Sequence, residues 1–88
     1  MCSWNFSFTK KAESDLKEIL KNGILCDRVK MILEDIAKDP RFGIGKPERL
    51  KHKKLEAWSR RIDRKNRIEY VVDKSIVIIV SILGHYEK

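Results

Sequence analysis

AWSRRIDRKNRIEYVVDKSIVIIVSIL, residues 57–83, is the stretch on which the fold turns. It breaks into three runs rich in β-branched and aromatic residues, 57–62, 67–72 and 75–83. Turn-forming residues part them, at positions 63–66 and at Asp73 and Lys74. Trp58 and Ile62 share one parity, as do Ile68, Tyr70 and Val72, so a register that sets Trp58 opposite Tyr70 gathers an apolar inner face. Arg61 then meets Arg67 on the other face, in the company of Ser59 and Glu69. Arg60 falls on the apolar parity, which predicts a place near the strand end or a side chain that snorkels to water. The third run is apolar on both faces and reads as a central strand.

Toward the N-terminus, Trp4, Phe6 and Phe8 alternate with Asn5 and Ser7, the period of a short half-buried strand. Thr9 can cap a helix in which Ala12, Leu16, Ile19 and Leu20 recur at helical spacing, with Gly23 past its end as a stop. A second amphipathic run places Val29, Ile32, Leu33, Ile36 and Ala37 on one face and closes before Pro40. Residues 41–54 carry two Gly and one Pro with little periodicity and read as a loop, the usual place for function. The expected fold is α+β, one domain over residues 1–88, with the two helices of the N-terminal half packed on a small antiparallel β-sheet.

Charge is distributed unevenly. Ten of the twenty Lys and Arg lie between Lys46 and Arg67, against Glu48, Glu56 and Asp63, so this stretch carries the whole formal charge of +7. Such a concentration favours polyanions, whose bound counterions are released on contact, and nucleic acid is the first partner to consider. The sequence shows neither a signal peptide nor an apolar run of membrane-spanning length. Cys2 and Cys26 are too few for a disulfide framework and fit a reducing, cytoplasmic setting. GIGKP lacks the Ser or Thr of a phosphate-binding P-loop and has Pro47 where a backbone donor is wanted. Cys2, Cys26, His52 and His85 match no zinc-finger or ribbon spacing, so no metal or other cofactor is expected.

The loop from Gly45 to His52 reads GKPERLKH, the hairpin opens with WSRRI and continues as NRIEYVV, and GHY stands at residues 84–86. Together these pieces resemble the YoeB/Txe family of RelE-like toxins, over a span from about Ile32 to Tyr86 and most strongly from Gly45 to Ile62. The resemblance implies a microbial-ribonuclease-like fold and a ribosome-dependent mRNA endonuclease, the toxin half of a type II toxin–antitoxin pair. It also implies a YefM/Axe-like antitoxin as partner, and it allows a homodimer.

Matched position by position, the resemblance makes Glu48 the general base, His85 the general acid and Arg67 the arginine that holds the scissile phosphate. Tyr86 becomes the aromatic that helps order the site. Lys46, Lys51, His52, Lys53, Lys54 and Arg61 fall where RNA-contacting basic residues are expected. The implied chemistry is metal-independent: a ribose 2′-hydroxyl attacks the adjacent phosphorus, leaving a 2′,3′-cyclic phosphate and a 5′-hydroxyl. Taken without the resemblance, His85 reads as a solvated or structural histidine and Glu48 as a loop charge balancing its lysines. Trp58 and Tyr70 could stack on bases, but their parity assigns them to packing. A non-catalytic RNA-binding module and a degenerate toxin that only binds an antitoxin are the alternative readings.

Overall fold

Phe6 and Phe8 turn inward together from the first strand, their rings edge to face with centroids 6.2 Å apart, while Asn5 and Ser7 face solvent. In the computed structural model, residues 4–51 and 54–85 are described, His85 by its backbone alone. The elements are β1 (Asn5–Phe8), α1 (Lys10–Ile19), α2 (Gly23–Lys38), β2 (Glu48–Arg49), β3 (Glu56–Arg61), β4 (Asn66–Asp73) and β5 (Ile76–His85). Five strands form one sheet in the order β1-β5-β4-β3-β2. Among the described residues no helix is long and apolar enough to cross a membrane.

The hairpin β3–β4 has the register that side-chain parity demands, Trp58 opposite Tyr70 and Arg61 opposite Arg67. β5 has a neighbour on each side, as its two-faced apolar sequence requires, although the middle position belongs to β4. The sheet is mixed rather than antiparallel: β1 runs parallel to β5, pairing Phe6 with Val77 and Phe8 with Ile79. β4 occupies one edge of β5, with β3 beyond it, and β1 lies along the edge that remains. The loop expected over 41–54 also contains β2, two residues long, paired with Trp58 and Ser59 of β3.

Thr9 caps α1, its Oγ1 accepting from Ala12 N at 3.1 Å and donating to Val80 O at 2.6 Å, so the cap also fastens the helix to β5. Gly23 does not stop this helix. Asn22 accepts from Leu25 N at 3.0 Å through its side chain and so starts α2, with Gly23 as its first residue. An Asn that can satisfy an orphan amide thereby outcompetes the helix-ending use of the glycine.

The core lies between the helices and one sheet face and includes Ile19, Ile32, Ile36, Ile68, Tyr70, Val77, Ile79 and Ile82. Each buried isoleucine contributes about 1.5–3 kcal/mol relative to exposure. Asp15 is buried in the same layer. Its Oδ2 accepts from the backbone N–H of Ile82 at 2.9 Å and of Leu83 at 3.1 Å, next to the place where the β4–β5 register shifts.

Arg60 does lie near the end of β3, one residue before Arg61, but it does not snorkel to water. Its guanidinium is fully buried among Asp35, Tyr70 and the chain that follows α2. The apolar parity placed it correctly on the inner face, and a polar cage inside the molecule replaces water.

Candidate active site

β2 owes its place to the tight path before it. Gly43 and Gly45 have φ of +141° and +80°, and Lys46 also has a positive φ, +52°. The path brings Gly45 O to 2.7 Å from Arg61 N, and a Cβ on Gly45 would stand 3.0 Å from Arg61 O. Glycine is therefore needed both for its backbone angle and for the close approach. The chain then pairs Glu48 with Ser59 and Arg49 with Trp58, and Leu50 N donates to Ala57 O at 2.8 Å.

This register lines up Glu48, Ser59 and Glu69 across three strands, with Arg67 diagonal to them on the same face. Arg67 Nη1 lies 3.2 Å from Glu48 Oε1 and 3.3 Å from Ser59 Oγ. The arginine side chain is 16% exposed and the glutamate 65%. A sunken cation thus meets a carboxylate that reaches in from solvent, and both are open to a ligand approaching the sheet.

The sequence-predicted residues do not all come together. Glu48 and Arg67 are brought into contact. Lys46 and Arg61 share a groove of about 730 Å³ with Arg28 and Arg64, between α2 and the β3–β4 turn. Lys51 and Lys54 are exposed beyond β2, and Lys54 borders a hollow of about 420 Å³ with Leu50, Leu55, Ala57 and Val71. The His85 backbone pairs with Asn66, one step along β5 from the Gly84–Arg67 pair, which carries the histidine to the strand end where Arg67 begins. His52, Lys53, Tyr86 and the side chain of His85 lie outside the described residues.

Trp58 and Tyr70 serve packing, in keeping with their parity. Tyr70 is buried and Trp58 half-buried, its indole N–H donating to Glu56 at 2.9 Å. Hydrogen bonds from Arg41, with a lesser opposing effect of burial, hold the Glu56 carboxyl below its ordinary value. Burial pushes the Tyr70 phenol up despite the neighbouring Arg60.

Sequence reasoning left two residues near the site without a role. Ser59 steadies Arg67, and only the register reveals it. Arg60 supports the approach to β2, and its signal was a charged residue at an apolar-parity position between two strand residues of opposite parity. Among the described residues no group of three or more His, Cys, Asp or Glu could hold a metal ion. The chemistry these groups can perform is proton removal by a carboxylate beside a guanidinium that binds an anion.

The chain matches the family described as YoeB-like toxin of bacterial type II toxin-antitoxin system over residues 8–86. Toxin YoeB of Streptomyces coelicolor is 40% identical over 75 residues, covering 85% of this chain and 81% of that protein. Among solved structures, the YoeB dimer from Staphylococcus aureus has 33% identity and a TM-score of 0.83, covering 97% of this chain and 100% of the other. The toxin chain of the heterotetrameric YoeB-YefM toxin-antitoxin complex from the same organism has 34% identity and a TM-score of 0.80, with 94% and 98% coverage. With a family match that takes in both helices, β2 with Glu48 and the whole hairpin with Arg67, this chain belongs to the YoeB-like toxins of bacterial type II toxin–antitoxin systems.

Proposed function

We propose that the protein is an endoribonuclease that cleaves mRNA on the ribosome and so stops translation. The observation that carries this reading is the 3.2 Å contact between Glu48 and Arg67 on the exposed sheet face, beside the end of β5 that bears His85. In the reaction Glu48 takes the proton from a ribose 2′-hydroxyl, and the freed oxygen forms a bond to the adjacent phosphorus. Arg67 turns from the carboxylate to the phosphate and stabilises its growing charge. His85 gives a proton to the departing 5′-oxygen as the P–O bond breaks, with Tyr86 ordering that end of the site. The products are a 2′,3′-cyclic phosphate and a 5′-hydroxyl, and no step requires a metal ion.

Lys46, Lys51, His52, Lys53, Lys54 and Arg61 supply contacts to the RNA backbone. The ribosome supplies substrate geometry, because single-stranded RNA must be splayed for in-line attack. The antitoxin is a YefM/Axe-like protein with an acidic-apolar segment that covers the basic face, in line with the YoeB-YefM assembly of the Staphylococcus aureus relative. The dimer of another relative supports a homodimer here.

The test is to add purified protein to ribosomes programmed with a defined mRNA and map the ends. Cleavage with cyclic-phosphate and 5′-hydroxyl ends is expected, with naked RNA cut far more slowly. Binding to programmed ribosomes without any cleavage would refute the enzymatic reading in favour of an RNA-binding module.

A further inference from the structure

Arg60 uses all five of its N–H donors. Nε donates to Tyr70 Oη at 3.0 Å. Nη1 donates to Asp35 Oδ2 at 2.6 Å and Ile44 O at 3.2 Å. Nη2 donates to Asp39 O at 2.7 Å and Phe42 O at 3.1 Å. Three of these acceptors are backbone carbonyls of the single connection that leaves α2 and leads to β2. The other two acceptors hold the same connection, since Tyr70 Oη donates to Pro40 O at 2.6 Å and Asp35 Oδ2 accepts from Ile44 N at 2.9 Å.

This segment has no helix or ladder of its own between Lys38 and Glu48. Its shape is therefore set by the buried fork, with Arg61 N to Gly45 O as the last tie before Glu48. Glu48 itself sits in a two-residue strand, too short to find its register unaided. We propose that Arg60 is a positioning residue for Glu48: by gathering the carbonyls of residues 39–44 it fixes where β2 begins and hence where the Glu48 carboxylate meets Arg67.

The inference rests on Glu48 being the base, and a double-mutant cycle separates the two claims. Arg60→Lys keeps the buried charge but loses the planar fork and two of the five donors. Gly43→Ala attacks the same clamp from the exposed loop, because its Cβ would overlap Asp35 Oδ2 and stand 3.0 Å from Arg60 Nη1 at a φ of +141°. It carries the test if Arg60→Lys does not fold.

Single-turnover cleavage at saturating ribosomes should fall about ten- to a hundredfold in either variant, as expected for a misplaced catalytic group, with half-saturation unchanged. In a Glu48→Gln background the same substitution should cost less than about threefold, because the group it positions is already lost. A parental rate in the folded variant, or an equal fold-loss in both backgrounds, overturns the proposal while leaving Glu48 as base. Parental cleavage by Glu48→Gln alone overturns the reading of Glu48 and the proposal with it.

Discussion

Arg67 on β4 reaches past an entire strand to Glu48 on β2, with Ser59 of β3 under its guanidinium at 3.3 Å. Charge is thus balanced within the pair, and in the proposed reaction an incoming phosphate would compete with the carboxylate for the same cation. Such an exchange would release the carboxylate as the proposed 2′-hydroxyl nucleophile arrives.

Replacing either proton-transfer group should affect the chemical step and spare binding. Glu48→Gln and His85→Gln are each expected to slow single-turnover cleavage on saturating ribosomes by roughly two to four orders of magnitude, with ribosome affinity retained. A folded His85→Gln protein that cuts at the parental rate would remove the histidine from the mechanism.

Arg67→Ala should lower both affinity and rate, because in the proposed reaction the same cation serves bound phosphate and transition state. Lys46→Ala and Arg61→Ala, in the groove beside α2, should instead weaken binding with little effect on the saturated rate. Each should reduce the slope of log affinity against log salt by about 1. Titrations at several salt concentrations distinguish the two classes, and a saturated-rate defect in the Lys46 or Arg61 variant would contradict the division.

Cleavage should not depend on a trace transition metal, since acid, base and cation are all side chains in the proposed reaction. With magnesium kept at the level ribosomes need, a chelator selective for zinc, copper and iron should leave the rate unchanged. Loss of cleavage on intact ribosomes, restored by one of those metals, would sink this expectation.

Tyr70→Phe should destabilise the fold by about 1–3 kcal/mol, because Arg60 Nε and Pro40 O both lose a buried partner. Urea unfolding would show a lower midpoint at unchanged slope. A midpoint equal to the parent's would mean that water replaces the phenol.

Acid should unfold the protein by protonating the carboxylates that the fold holds ionised, Asp15 and Asp35. For Asp15 burial opposes ionisation, but hydrogen bonds from Lys11 and from the amides of Ile82 and Leu83 outweigh it and hold the carboxyl below its ordinary value. For Asp35 burial is likewise outweighed, by Arg60 and the Ile44 amide. A carboxyl lowered by folding contributes in full above its unfolded value, about 3.9 for Asp, and its contribution is lost as pH falls through the folded value. Urea midpoints should therefore drop progressively as the pH falls below about 4. Asp35→Asn should flatten that drop, and an unchanged pH profile in that variant would argue against it.

What could be read from the sequence was local. The alternation around Trp58 and Tyr70 fixed the hairpin register because neighbouring strands joined by a short turn have few alternatives. The parallel pairing of β1 with β5 had no such signal, since alternation says which face a side chain takes and nothing about a distant partner. β2 is too short to carry a period. Gly23 was misassigned because one residue between two helices can serve either end, and the Asn22 side chain decides the matter. Glu48 and Arg67 became candidates through resemblance, whereas their contact depends on a sheet order that no single segment encodes. The burial of Arg60 required partners from α2, β4 and the intervening loop together.

The pairing of β1 with β5 also orders events in time. Thr9 and Val80, hydrogen-bonded in the finished molecule, are 71 positions apart, so the first strand leaves the ribosome long before its companion has been synthesised. Until β5 emerges, β1 has no edge to join and α1 has no floor to rest on, and a nascent chain halted before Ile76 has nothing to hold them. Closing so long a loop is slow relative to local contacts. The fold therefore stays incomplete through most of elongation, by topology alone.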